Sequence, residues 1–130
     1  MNSGPLAFDF ETTDPRWRRT FQPVRATPIG VSLAWVEGSG IYWPTTDIAP
    51  LKRTLEDATI IKVAHNAVFE YIVARIQGIR PTNLHCTKLM ASVLGRVSTG
   101  LKDLAWAEFG IKQTRFDEVD WTDAAAVAQY

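Results

Sequence analysis

The sequence contains a single cysteine, Cys86, among its 130 residues. One thiol excludes a disulfide framework within the chain and a cysteine-rich zinc site, and it fits a reducing, cytoplasmic location. The sequence also lacks an apolar run near the roughly 20 residues that a membrane-spanning helix requires, so we expect no membrane contact. Its first residues have neither a basic head nor a long apolar stretch, which argues against a signal peptide.

No sign of charge dominates the chain. Lys and Arg together number 14, Asp and Glu together also number 14, and the formal net charge is zero. This balance argues against strong nonspecific binding to duplex nucleic acid, which depends on neutralising many phosphates, but it leaves room for a local groove that binds a single strand. With 46% apolar and 22% charged residues, the composition is that of a globular protein, and residues 1–130 are expected to form one domain.

The stretch LAFDFETT near the N-terminus carries the first candidate site. Read as a β-strand, it places Leu6, Phe8 and Phe10 on one face and the acids Asp9 and Glu11 on the other. The two carboxylates then leave the strand about 6–7 Å apart at the backbone, close enough to reach one hard cation together. The pattern therefore predicts a metal or acid–base site, and a solvated strand end is the plainer alternative.

A second candidate is Glu70, on a helix predicted over residues 67–77 and closed by Gly78. The helix is apolar nearly all round, so we expect it to be buried. One predicted inward stripe contains Val68, Tyr71, Ile72, Arg75 and Ile76, and a second contains Phe69 and Val73. Glu70 is the only acid of this helix, and a buried carboxylate is costly unless it is paired, for instance with Arg75, or bound to a metal.

Apolar patterns and turn residues divide the rest of the chain into strands and helices. The predicted strands cover residues 6–10, 29–36, 41–43, 60–64 and 84–86. The remaining predicted helices cover residues 49–57, capped by Thr46 or Asp47, residues 87–94, capped by Thr87, residues 101–109, and residues 123–130, capped by Thr122. This order of strands and helices indicates an α/β fold with a mixed sheet.

Residues 14–28 contain three prolines, which predict a loop. Within it lie the basic residues Arg16, Arg18, Arg19 and Arg25, interleaved with the aromatic residues Trp17 and Phe21. Such patches suit single-stranded nucleic acid, because arginines bind phosphates and aromatic rings stack on bases. A solvated loop with one aromatic residue tucked inward is the plainer alternative.

Several segments together resemble the DEDD-type 3′–5′ exonucleases. The run DFET from Asp9 resembles their first motif, and NAVFE, ending at Glu70 and following a strand, resembles their second motif, Asn-x-x-Phe-Asp, with a glutamate in place of the aspartate. TGLKDLA over residues 99–105 resembles a helix of the proofreading domains in family-A DNA polymerases. TRFDEV over residues 114–119 resembles the segment that precedes their last motif.

This resemblance implies a ribonuclease-H-like fold, a mixed β-sheet flanked by helices and here truncated at the C-terminus. In the complete domain it implies four carboxylates that hold two Mg²⁺ or Mn²⁺ ions, and the three found in this sequence are Asp9, Glu11 and Glu70. The residues implied to contact the terminal nucleotide are Thr12, Asn66, Phe69 and Phe116. Tyr130 would orient the attacking water as the first residue of a Tyr-x-x-x-Asp motif, whose aspartate, four residues later, lies beyond this sequence.

The function implied by the resemblance is that of a 3′–5′ exonuclease (proofreading) domain of a DNA polymerase over residues 1–130, lacking the final motif carboxylate. Its substrate would be the 3′ end of single-stranded DNA, and a polymerase domain would follow C-terminally in the parent chain. Two alternatives stay open: an RNA-trimming exonuclease relative, and a non-catalytic binding or scaffold domain that retains the fold. A scaffold would bind Mn²⁺ no better than its own Asp9→Ala variant.

Overall fold

The computed structural model describes residues 4–14, 22–114, 118–120 and 122–123. Its strands are β1 (Leu6–Thr13), β2 (Thr27–Val36), β3 (Ser39–Pro44), β4 (Lys62–Ala64) and β5 (Leu84–Cys86). Its helices are α1 (Lys52–Glu56), α2 (Ala67–Ile76), α3 (Thr87–Val93) and α4 (Leu101–Phe109), and short 3₁₀ turns cover Pro23–Arg25 and Ala49–Leu51. The predicted α/β class is confirmed.

The five strands form one mixed sheet in the order β3-β2-β1-β4-β5, with β1 at its centre. β2 is antiparallel to both β1 and β3, and the two-residue turn Glu37-Gly38 joins β2 to β3. β4 runs parallel to β1, and β5 runs parallel to β4 because α2 carries the chain back between them. The acids of β1 therefore lie in the middle of the sheet.

The hydrophobic core covers one face of β1. Leu6, Phe8 and Phe10 are each at most 4% exposed, and the rings of Phe8 and Phe10 meet edge to face with centroids 5.4 Å apart. Leu55 of α1 and Val73 of α2 are fully buried in the same cluster. The two-residue alternation read from the sequence is confirmed, since the apolar side chains of β1 face the core and its acids lie on the other face.

The first inward stripe predicted for α2 is wrong. Val68 is 61% exposed, Ile76 is 47% exposed, and Tyr71 and Arg75 are exposed as well. The buried face instead consists of Ala67, Glu70, Val73 and Ala74. Because protein interiors are densely packed, the helix buries the face with the two small alanine side chains. Glu70 is only 2% exposed, so its predicted burial is confirmed.

The helix expected over residues 49–57 is shorter than predicted. Residues 49–51 form a 3₁₀ turn, and α1 begins only at Lys52. Asp47 does serve the start of this segment, because its Oδ1 accepts a hydrogen bond from the Ala49 N–H at 2.9 Å. The strand expected over residues 60–64 is likewise shorter and begins at Lys62.

The predicted cap of α3 is also wrong. Cys86 occupies the cap position, and the Thr87 hydroxyl lies 2.9 Å from His65 Nδ1 instead. The helix expected over residues 123–130 falls almost entirely outside the part of the chain that the structure describes. Within the described residues, no helix is both long enough and apolar enough to cross a membrane.

Candidate active site

Two acids project from the face of β1 that lies opposite the core. Asp9 is paired across the sheet with Ser32 of β2, and Glu11 with Gly30. The pairing register shifts between Glu11 and Thr12, immediately after the second acid. Such irregularities bend a strand and re-aim its side chains, so β1 presents both carboxylates at the point where its regular pairing changes.

Glu70 reaches this site from α2 through a hydrogen bond to the backbone of β1. On the side of β1 that faces β4, the Leu6 N–H donates to the Ile61 carbonyl. The N–H of Phe10, four residues later, points to the same side of β1. β4 has already ended at Ala64. The Glu70 carboxylate fills the missing place, because its Oε2 accepts the Phe10 N–H at 2.9 Å.

The three carboxylates lie close enough to alter one another's protonation. Desolvation, and then the negative charge of Asp9, raise the pKa of Glu11 to about 7. The same two causes raise the pKa of Glu70 to about 9. Solvent reaches the Asp9 side chain, yet desolvation by the surrounding protein raises its pKa too, against the lowering effect of hydrogen bonds with its two neighbours. At neutral pH the site therefore retains protons that ordinary carboxylates would lose.

The donor set fits a hard divalent cation. Carboxylate oxygens are the ligands that Mg²⁺ and Mn²⁺ prefer, and a cation would relieve the repulsion that retained protons now reduce. As their side chains stand, no three His, Cys, Asp or Glu residues among the described ones converge on a single point as metal ligands. Metal binding by Asp9, Glu11 and Glu70 therefore stays a prediction.

A cavity of about 690 Å³ opens beside these acids. Its lining combines two carboxylates and a lysine with small and apolar side chains, from four strands and one helix: Ala7, Asp9, Glu11, Ala34, Ile41, Val63, Leu101 and Lys102. Its volume lies within the range of ordinary small-ligand pockets. The carboxylates thus stand at the edge of a cleft that can take an organic group of nucleotide size.

The structure describes three of the remaining predicted site residues and not the other two. Thr12 is half-buried at the register shift of β1, and Asn66 is exposed at the start of α2 with a left-handed backbone, φ 60°. Phe69 is half-buried and packs against the hydrophobic core. Phe116 and Tyr130 lie outside the described residues. The contacts assigned to these residues stay predictions.

The structure describes only the ends of the arginine-rich loop. Arg25 Nη2 lies 3.4 Å from Asp14 Oδ2, and the same carboxylate accepts the Gln22 N–H at 3.3 Å. Asp14 is 2% exposed, so this pair ties the two ends of the loop together. The other predicted members of the patch are not among the described residues: Arg16, Trp17, Arg18, Arg19 and Phe21.

The ion pairs of the described residues do not include one between Glu70 and Arg75.

Sequence reasoning missed Tyr42. Its ring lies directly over Gly30, where an added Cβ would overlap the Tyr42 hydroxyl oxygen and ring carbons. Desolvation, and then the nearby charge of Glu11, raise the pKa of Tyr42, so its hydroxyl lies on the side of the sheet that carries the acids. The available signal was Gly30 itself, since a glycine inside a strand often marks a close approach by another group.

A family of protein domains described as 3′–5′ exonuclease matches residues 1–123 of this sequence. The chain belongs to this exonuclease family. No curated protein matches the sequence closely enough to count as a relative.

Solved structures share this fold. NrnC from Brucella melitensis superposes with a TM-score of 0.75 at 21% identity, over 96% of this chain and 64% of NrnC. RNase D from Escherichia coli superposes with a TM-score of 0.73 at 21% identity, over 98% of this chain and 36% of RNase D. The POL domain of Pol1 from M. smegmatis superposes with a TM-score of 0.68 at 19% identity, over 98% of this chain and 23% of the Pol1 chain. The ribonuclease-H-like fold is thereby confirmed, and the chain spans less than two thirds of each of these three proteins.

Proposed function

We propose that this chain is a metal-dependent 3′–5′ exonuclease domain that hydrolyses the terminal phosphodiester bond of a single strand. The observation that carries the proposal is the meeting of Asp9, Glu11 and Glu70 beside a cleft of nucleotide size, in a chain of the exonuclease family. We propose Mg²⁺ or Mn²⁺ as the cofactor, and the structure of NrnC with bound Mg²⁺ supports this choice.

The chain's own residues would supply the geometry of the reaction. When bound, divalent ions supply a hydroxide from water and stabilise the leaving oxygen. Asp9 and Glu11 are held on the central strand, and the Phe10 N–H fixes the orientation of Glu70. The apolar lining of the cleft shields the reacting end from water, which strengthens electrostatic interactions there. Lys102 lines the cleft wall, where its Nζ donates a hydrogen bond to the Thr114 carbonyl.

The 3′ end of single-stranded DNA is the substrate that we propose, with a polymerase domain following in the parent protein. The motifs that resemble polymerase proofreading domains support it, as does the likeness to M. smegmatis Pol1, solved with a DNA primer-template. RNA is the second candidate. Its support comes from NrnC, solved with pGG, and from RNase D, described as an exoribonuclease.

Single-turnover release of a mononucleotide from labelled strands tests both substrates. With Mn²⁺ we expect slow release from a DNA 3′ end, none with EDTA, and none from the Asp9→Asn variant. Unlabelled DNA and RNA ends compete in the same assay, and stronger competition by RNA would replace DNA as the substrate. If the parent and Asp9→Ala proteins bind Mn²⁺ equally, the chain is a scaffold and the catalytic proposal fails.

A further inference from the structure

We propose that Tyr42 is a positioning residue whose hydroxyl orients the carboxylate of Glu11 for a divalent ion. The inference concerns a residue of β3 that belongs to none of the exonuclease-like motifs in the sequence. It rests on the metal-dependent function proposed above, because the orientation of Glu11 matters only if that carboxylate is a ligand.

The register of the sheet places Tyr42 beside the acids. One row across the three antiparallel strands contains Asp9, Ser32 and Tyr42, and the row two residues further along β1 contains Glu11, Gly30 and Pro44. All six positions belong to one face of the sheet, since paired residues point the same way. Tyr42 therefore stands one diagonal step from Gly30, within the reach of a long aromatic side chain, and Glu11 lies beyond Gly30 on the next strand.

Gly30 opens that diagonal. A Cβ at this position would overlap the hydroxyl oxygen, Cζ and Cε2 of Tyr42, so the far end of the ring occupies the space above Gly30. Gly30 is the sheet partner of Glu11, and directly opposed side chains start about 4.5–5.5 Å apart, so the hydroxyl lies beside the position from which the Glu11 side chain leaves β1. The ring would be forced elsewhere by any larger residue at position 30.

A phenol at this place suits orientation rather than metal binding. Its O–H donates one hydrogen bond to a carboxylate oxygen, and at neutral pH the neutral phenol competes poorly for a cation. Holding one oxygen of Glu11 would leave the other directed into the cleft. Partners that orient a metal ligand in this way typically change metal affinity or activity by about 10–100-fold when they are removed.

Mn²⁺ titration of three proteins tests the assignment, with affinity measured by calorimetry and by the EPR signal of free Mn²⁺. Tyr42→Phe removes only the hydroxyl, and we expect Mn²⁺ affinity to fall by about 10–100-fold with the melting midpoint nearly unchanged. Tyr71→Phe is the matched control, because Tyr71 is 37% exposed on α2 and does not belong to the sheet face that carries Asp9 and Glu11. Equal affinity of Tyr42→Phe and parent overturns the proposal, and so does an equal loss in both variants.

Gly30→Ala provides a second test that keeps the hydroxyl but displaces the ring. We expect it to weaken Mn²⁺ binding as Tyr42→Phe does, and the double variant to be no weaker than either single one, because both remove the same contact. Unchanged affinity in Gly30→Ala, or additive losses in the double variant, overturns the role given to the ring's position. A parent protein that binds no Mn²⁺ defeats the proposed function and this inference together, whereas parent binding with an unaffected Tyr42→Phe defeats this inference alone.

Discussion

The Phe10 backbone N–H lies at the edge of β1 where β4 has ended, and the Glu70 carboxylate accepts its hydrogen bond at 2.9 Å. A buried N–H without a partner costs about 1–3 kcal/mol, so this contact holds the side chain in place. The resembling motif has an aspartate at this position, and the longer glutamate side chain reaches the backbone of β1 here. Glu70 thus combines a structural hydrogen bond with membership of the acidic cluster.

Glu70 also makes stability depend on pH. Its pKa is about 9 in the folded chain against an ordinary value of 4.5, so the folded state keeps a proton that the unfolded state loses as pH rises. The free energy of unfolding should therefore decrease between about pH 5 and pH 9, by at most about 1.4 kcal/mol per pH unit for one proton. Urea unfolding in EDTA across this range measures it.

The Glu70→Gln variant is the control for that pH dependence. Its amide oxygen can still accept the Phe10 N–H but has no proton to lose, so the decrease in stability should become shallower. A residual slope near pH 7 is expected from Glu11, whose pKa is raised to about 7. Identical slopes in parent and variant would mean that Glu70 does not titrate in this window.

Asp9→Asn separates metal binding from folding. The substitution removes the negative charge that raises the pKa of both Glu11 and Glu70, so we expect the metal-free protein to be as stable as the parent or slightly more stable. Mn²⁺ affinity should fall by at least about tenfold, because a loss of that size already follows removal of a group that merely supports a ligand. A melting scan with and without Mn²⁺ shows both effects, and a strongly destabilised metal-free variant would contradict the repulsion described here.

At the scale of elements, β1 and α2 hold the site through opposite kinds of packing. β1 buries three large side chains against the core, whereas α2 approaches the sheet through Ala67 and Ala74. The outer face of α2 is apolar yet exposed in the described part of the chain. Substitutions on the two elements should consequently differ in cost.

Phe8→Ala should lower the free energy of unfolding by about 3–5 kcal/mol, because its ring is 4% exposed and packs against Phe10. Ile72→Ala, which the sequence pattern alone would rank with it, should cost less, since Ile72 is only half-buried. Val68→Ala, at 61% exposure, should change stability by no more than about 0.5 kcal/mol. Chemical denaturation of the three variants gives the order, and a large loss in Val68→Ala would show that the outer face of α2 is covered.

At the scale of the whole molecule, the described residues bring Asp9 and Glu11 to the cleft and Glu70 close to both, and the resemblance implies a fourth carboxylate, four residues after Tyr130. We therefore expect the 130-residue chain to bind one Mn²⁺ detectably and a second only weakly, and to be nearly inactive. A form extended past Tyr130 through an aspartate should release mononucleotides much faster in the single-turnover assay. Equal rates for the two forms would place the fourth ligand within residues 1–130 and would make the assignment of Tyr130 wrong.

The sequence by itself determined much of the local structure and the identity of the acids. The bounds of β5 and α4 agree with the prediction, and Gly78 and Gly110 follow helices with positive φ values of 77° and 66°. Period-two alternation placed Asp9 and Glu11 on one face of β1. Such features depend on neighbours along the chain, and periodicity and backbone preferences report them directly.

The tertiary structure decided everything that depends on contacts between distant segments. Glu70 can accept the Phe10 N–H only because β4 ends before it reaches Phe10, and the ring of Tyr42 lies over Gly30 only because the β2–β3 register sets it there. The buried face of α2 was mispredicted for the same reason. A helix that is apolar nearly all round carries no mark of which side meets the sheet, and close packing against that sheet chose the side with alanines.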